Sequence, residues 1–273
     1  MRLTLPASLP FLRQPPTVAV LRLQGMIANS QRGLDDVSLA PLLERAFARG
    51  RPAAIALEIN SPGGSAVQSS LIAARIRRLA AEKSITVLAF VEDVAASGGY
   101  WLATAGDEIF VDHGSIVGSI GVISASFGAH DAIARIGIER RVHTAGRSKS
   151  MLDMFRPENP DDVARLDGLL ADLHGYFIAH VKQRRGAKLT DNPDLFTGEV
   201  WIGQKAVDQG LADGIGHLVP VLKARFGDKV RLRRYGQRRS LLSRFGLNLS
   251  ADALAGDLLA GVEERAAFAR FGL

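Results

Sequence analysis

From Val18 onward the chain alternates short apolar runs with stretches of helical periodicity. The runs VAVLRL (18–23), AAIALEI (53–59) and 85–91 have strand length. Between them lie SLAPLLERAFARG, with Ser38 as the expected N-cap, and a stretch over about 66–81 whose Leu71, Ile72, Ile76 and Leu79 share one face. The pattern then predicts a helix from Ser97, short strands at 108–111 and 121–124, a helix over 129–136 and a strand at 139–143. Pro160 opens the longest amphipathic stretch, where Val163, Leu166, Leu169, Leu170, Leu173, Phe177 and Val181 predict one helix running to about Arg185. Strands joined by crossover helices argue for an α/β fold with a largely parallel sheet.

The two ends read differently. Residues 1–17 hold Pro6, Pro10, Pro15 and Pro16, which break any continuous apolar run, so an extended arm is expected there. A single domain over 18–239 and a helix-prone Ala- and Leu-rich extension over 240–273 complete the expected organisation. With 273 residues, 47% of them hydrophobic, the chain can bury a full core. Its apolar runs fall short of the ~18 residues that a membrane span needs. The absence of cysteine excludes disulfides, thiolate zinc sites, iron-sulfur clusters and a cysteine nucleophile.

Charge changes the picture only at the tail. The net charge is +6, and residues 231–273 carry +4 of it through eight Arg against four carboxylates. The rest is nearly neutral, so no nucleic-acid partner is expected. Five of those arginines lie between Arg231 and Arg239, followed by Leu241, Leu242, Phe245, Leu247 and Leu249. One reading is peripheral contact of 231–249 with an anionic membrane, each near-surface Arg contributing about 1 kcal/mol. The other is a charged edge strand followed by a helix docked on a neighbouring subunit. With no spanning segment or signal peptide in the chain, a cytoplasmic or membrane-peripheral location is the expectation.

Three glycine-containing loops carry the candidate chemistry: NSPGGS (60–65), ASGGYW (96–101) and GSIGVIS (118–124). Each lies at or beside a strand end, where a sheet holds a loop rigidly and glycine lets N–H groups approach a ligand. Taken singly, each is an ordinary turn, with Ser97 a helix cap. Together they offer a hydroxyl followed by two glycines, with Gly63 and Gly64 as a second source of N–H donors, which suits acyl transfer. Neither G-x-x-x-x-G-K-[ST] nor G-x-G-x-x-G is present, which argues against nucleotide binding, and the G-x-S-x-G elbow is absent too. No carboxylate pair or histidine spacing reads as a metal site, and turn and cap duties explain Asp93 and Asp213. Tyr100 and Trp101 serve either a specificity pocket or the core.

NSPGG, VEDVAASGGYWLATAGDEIFV, GSIGVI, the Lys149 segment and GEVWIGQKAVDQGLADGIG, in that order from about Val18 to Leu222, closely resemble the signal peptide peptidase A (protease IV) family of Ser/Lys peptidases. The resemblance implies the spiral α/β fold of the Clp protease and crotonase superfamily. It also implies Ser97 as nucleophile, Lys149 as general base, Ser119 as the lysine's hydrogen-bond partner, and the N–H groups of Gly64 and Gly98 as oxyanion hole. By the same likeness, apolar peptides such as signal peptide remnants or membrane-protein fragments would bind extended along Gly63, Ser65 and Ala66 and along Gly121, Val122, Ile123 and Ser124. No cofactor is implied. Single-copy members share each active site between protomers, so a homo-oligomer is implied as well.

A lysine base makes a physical demand. At its ordinary pKa of ~10.4, only about 0.04% of a lysine is neutral at pH 7, so the amine must be shielded from water to act. A neutral-to-alkaline optimum with one rising limb is the consequence. The bland alternative for Lys149 is a solvated loop lysine. His113, sixteen positions beyond Ser97, is the candidate for a rival histidine-based triad or, more plainly, a polar residue at a strand end. Two other functions stay open: a crotonase-like acyl-CoA enzyme, and a catalytically silent assembly or membrane scaffold with the same fold.

Overall fold

The computed structural model describes residues 15–30, 33–146, 148–236, 261–262 and 264–273. The proposed arm, apart from its last residues, and most of the 240–273 extension lie outside the described residues.

Seven strands joined by parallel pairings build the platform among the described residues. β1 (Thr17–Gln24), β2 (Ala54–Ser61) and β3 (Thr86–Ala96) pair side by side, and β8 (Arg231–Tyr235) adds to the far edge of β1. β3 then serves two partners in succession. Its Leu88–Phe90 stretch pairs β4 (Glu108–Val111), and its Val94–Ala96 stretch pairs β5 (Ile116–Gly118). β5 continues to β6 (Val200–Ile202), the one antiparallel pairing among the described residues, and β4 to the short β7 (Gly214–Ile215). The register of β2 against β3 shifts between Ile59 and Ser61, at the start of the NSPGGS loop. Such a shift bends a sheet locally and re-aims the residues after it.

Helices cover both faces, which is why β2 is buried along its whole length rather than at alternate residues. On one face Leu21, Leu23, Ile55, Leu57 and Ile59 meet α1 (Asp36–Ala48) and α2 (Ala66–Lys83). On the other, Val18, Val20, Leu88 and Phe90 meet Leu218 and Leu222 of α7 (Leu218–Phe226). α3 (Gly98–Ala103) follows β3 directly and is buried throughout. α4 (His130–Arg135) buries no residue, and α6 (Gly203–Asp208) leads back towards β7. The long helix is α5 (Pro160–Arg185), with Asn159 as its N-cap and Phe177, Val181 and Arg185 buried.

Three local expectations need correction. The N-cap of α1 is Asp35, whose carboxylate accepts from Ser38 N–H at 2.9 Å, so Ser38 is the capped residue and not the cap. Residues 121–124 are not a strand. Gly118 and Ser119 both take positive φ, at 106° and 49°, and turn the chain out of the sheet before the apolar run begins. Nor are 139–143 a strand: they lie almost entirely exposed, with no neighbouring strand among the described residues to take their hydrogen bonds. The arginine-rich 231–235 stretch, by contrast, is an edge strand, with Arg234 paired to Glu58. Residues 264–269 are helical.

Candidate active site

The site forms where β2 and β3 leave the sheet. Ser97 stands between the last residue of β3 and the first of α3, with φ of 52° and ψ of −121°. A non-glycine residue in that region costs on the order of 1–3 kcal/mol and persists only where its surroundings over-determine it. Here Ser97 N–H donates to Gly118 O at 2.8 Å, and Ser97 O accepts from Trp101 N–H at 3.0 Å. The hydroxyl is thereby presented from a clamped backbone rather than from a loop free to turn.

The NSPGGS turn is fixed against it from the other side. Ile27 N–H donates to Gly63 O at 2.8 Å, and Ser65 N–H donates to Ile27 O at 2.7 Å. Ser65 also accepts Gln68 N–H as N-cap of α2, so its polar groups serve the scaffold. At Gly64, with φ of 138°, a Cβ would stand 2.2 Å from Ile27 O. At Gly98 a Cβ would meet Ser69 Oγ at 2.4 Å and Gly64 N at 3.4 Å. The two loops therefore touch through backbone that only glycine permits. Among the described residues, neither Gly64 N–H nor Gly98 N–H has a protein acceptor.

Two cavities meet at Ser97. One, of about 190 Å³, is lined by Gly64, Gly98, Trp101, Gly121, Val122, Ile123, Leu173 and Phe177. The other, of about 270 Å³, runs past Gly63 and Ser119 to Thr197 and Gly198, and Ala267, Arg270 and Phe271 of the C-terminal segment also line it. That segment turns its half-buried residues Glu264, Ala267, Phe268 and Phe271 inward at helical spacing. Ser119 is anchored through its N–H to Glu199 O at 2.7 Å and its carbonyl to Gly121 N–H at 2.9 Å.

Of the residues singled out from sequence, Ser97, Ser119, Gly63, Gly64, Gly98, Gly121, Val122 and Ile123 come together around these cavities. Lys149 does not join them within one chain. It is exposed, in a turn closed by its N–H to Gly146 O at 3.1 Å, and it lines neither cavity. His113 is exposed in the turn after β4, and no histidine lines either cavity, so the histidine triad gains no support. Trp101 faces the smaller cavity, whereas Tyr100 is fully buried and donates its hydroxyl to Leu211 O at 2.8 Å. Burial raises the Tyr100 phenol well above its ordinary range, which leaves it a structural donor.

The two tempting aspartates belong to the scaffold. Asp93 accepts from Asn60 Nδ2 at 2.6 Å. Burial by itself raises the Asp213 carboxyl, but hydrogen bonds from Arg185, Lys188 and Ile109 N–H outweigh it and hold the group below the usual carboxylate range. No group of three or more potential metal ligands occurs among the described residues. Leu173, Phe177 and His174, whose Nε2 lies 3.0 Å from Ile120 O, are the site neighbours that sequence reading missed. They sit on the inward face of α5, whose periodicity signals burial but not what is buried against it.

Comparison with known proteins bears on this geometry. A stretch 48% identical over 271 residues, 94% of this chain, occurs in a Na(+)/H(+) antiporter NhaA of Brucella melitensis, where it makes up 37% of that protein. Protease 4 of Haemophilus influenzae is 31% identical over 218 residues, 78% of this chain and 35% of its own length. The chain thus spans little more than a third of either relative. Among the described residues, no helix is long and apolar enough to cross a membrane. A mutant membrane-bound stomatin-specific protease in complex with a substrate peptide has the same fold, with a TM-score of 0.51 at 16% identity over 85% of this chain and 96% of that one. The pattern of Peptidase family S49 matches residues 79–226, more than half of the chain and inclusive of Ser97, Ser119 and Lys149. The chain belongs to peptidase family S49.

Proposed function

We propose that the chain is a serine endopeptidase in which Ser97 is the nucleophile and Lys149, supplied by a neighbouring copy, is the general base. The observation that carries the reading is the strained, clamped Ser97 beside two glycine N–H groups that have no protein acceptor among the described residues. In the reaction, a neutral Lys149 Nζ takes the Ser97 Oγ proton as Oγ bonds to the peptide carbonyl carbon. The carbonyl electron pair moves onto oxygen, where Gly64 and Gly98 N–H groups receive it. On collapse the C–N bond breaks, Nζ returns its proton to the leaving amine, and an acyl-serine remains for water to hydrolyse by the same path.

Assembly would supply what one chain lacks. An exposed ammonium cannot accept a proton, so the base needs a neighbour's surface to exclude water. The segment that carries Lys149 exposes Phe127, Ile136, Ile138, Met154 and Phe155, an apolar surface suited to meeting another copy. The apolar lining of the 190 Å³ cavity by Trp101, Val122, Ile123, Leu173 and Phe177 favours peptides with an apolar residue before the scissile bond. An extended backbone would run past Gly63, Gly64 and Ser65 on one side and Gly121, Val122 and Ile123 on the other.

A fluorophosphonate probe tests the reading. Covalent labelling of Ser97, lost in Ser97→Ala and Lys149→Ala, is expected, together with peptide cleavage that rises along one limb towards alkaline pH. Binding of coenzyme A without labelling would point instead to acyl-CoA chemistry.

A further inference from the structure

Trp101 lies one helical turn beyond Ser97 and is bonded to it through the backbone, so its indole is positioned from the same turn as the nucleophile. Trp101 is 8% exposed and forms part of the wall of the 190 Å³ cavity. Two side chains of α5, three residues apart, stack on it: Phe177 at a centroid distance of 4.9 Å and 22° between planes, and His180 at 4.4 Å and 17°. Phe177 lines the cavity itself; His180 does not.

His180 also reaches the backbone of Trp101. Thr104 Oγ1 lies 2.6 Å from Trp101 O, and a carbonyl can only accept, so the hydroxyl proton is spent there. The contact of 2.8 Å between Thr104 Oγ1 and His180 Nε2 must then be donated by the imidazole, which places a proton on Nε2. Burial first, and the Arg184 charge second, push the His180 pKa down to about 4, so the ring stays neutral at ordinary pH. Arg184 meanwhile ties α5 to the end of α3 through Thr104 O at 2.7 Å and Gly106 O at 3.0 Å. The helix pairing therefore does not depend on His180.

We infer that His180 is a positioning residue for substrate selectivity: by stacking on Trp101 and holding its carbonyl through Thr104, it keeps the indole as a fixed wall and sets the depth of the cavity beside Ser97. The inference rests on the peptidase reading and names what that site selects, aliphatic over large aromatic side chains before the scissile bond. Without the imidazole the indole gains room to swing back, and the cavity deepens towards α5.

The test compares two peptides, alike except for leucine or tryptophan before the scissile bond, in the full-length protein. In His180→Ala, the leucine-to-tryptophan ratio of kcat/KM is expected to fall about tenfold, the scale of discrimination by a hydrophobic pocket. His180→Phe, which keeps a stacking ring, should restore most of it. A readout independent of turnover is Trp101 emission in a Trp201→Phe background, which His180→Ala should shift and His180→Phe should largely return. Equal loss on both peptides, or an unchanged ratio or emission, overturns the inference while leaving the peptidase reading intact. A wild-type chain that neither cleaves peptide nor takes the fluorophosphonate overturns both.

Discussion

Around Ser97 the chain is held from every side: β3 and β5 grip it from below, the NSPGGS turn abuts it, and α3 behind it is wholly buried. The segment from 123 to 159 is its opposite. α4 buries nothing, and the contacts that shape this segment are its own, such as Ala129 N–H to Met154 O at 2.7 Å and Arg140 to Asp153 at 3.1 Å. One half of the proposed chemistry is thus finished within a single chain, and the other is presented on a surface that one chain leaves wet. A nucleophile and its N–H donors must be placed to fractions of an ångström, which a sheet can do. A lysine base needs dehydration, which a neighbour can supply on assembly. The difference separates what folding accomplishes from what association would.

The largest effects are expected when one half is removed at a time. Ser97→Ala and Lys149→Ala should each lower kcat by about 10⁴-fold or more, the scale seen when a nucleophile or base is lost. If the halves come from different copies, mixing the two inactive variants in equal amounts should restore activity to about a quarter of wild type, because random association rebuilds that share of the shared sites. No recovery after verified subunit exchange would place both groups in one chain.

Next in size is the N–H pair. Gly98→Ala drives a Cβ to 2.4 Å from Ser69 Oγ and should displace the donor, reducing kcat by roughly 10²- to 10³-fold in a peptidase assay. Ser119→Ala should cost less, about tenfold, and should move the rising limb of the pH profile to higher pH if the hydroxyl helps hold the amine neutral.

Stability should report the finished half alone. His180 has a depressed pKa when folded, so its neutral form stabilises the fold fully above its unfolded value of 6.5 and that contribution drains away as pH falls towards about 4. Melting curves should therefore show Tm falling across that window, and less steeply in His180→Ala. Asp213 acts at lower pH, its contribution being lost as pH falls through the depressed carboxylate value. The smallest effect on folding is expected at Phe127, 85% exposed: Phe127→Ser should leave the stability of the single chain within about 0.5 kcal/mol of wild type. Analytical ultracentrifugation of the same variant should show weakened self-association.

The places where sequence reading succeeded and failed fall along the same division. The helix from Pro160 to Arg185 was legible because its proline and its apolar spacing both speak locally. The strands 121–124 and 139–143 were not, because an apolar or β-branched run says nothing about whether a partner strand is present. Ser38 is a favourable cap residue by type, but Asp35, three residues earlier, takes that role with a charged acceptor. Among site residues, the three glycine loops declared themselves by composition. His180, Phe177 and Leu173 stayed hidden in a helix face that resembles any other buried stripe.

Local pattern alone was enough for the order of elements from β1 to β4, for the long helix α5, for the absence of thiol chemistry and for the three loops in which a hydroxyl and free N–H groups could occur, since these depend on neighbours within a few residues. Only the tertiary structure decided that Gly64 and Gly98 meet, that Ser97 is held at positive φ, that Trp101 is braced from α5, and that Lys149 stays in solvent. Each of those facts is a contact between segments remote in the chain, and such contacts are set by the packing of the whole sheet rather than by any local pattern.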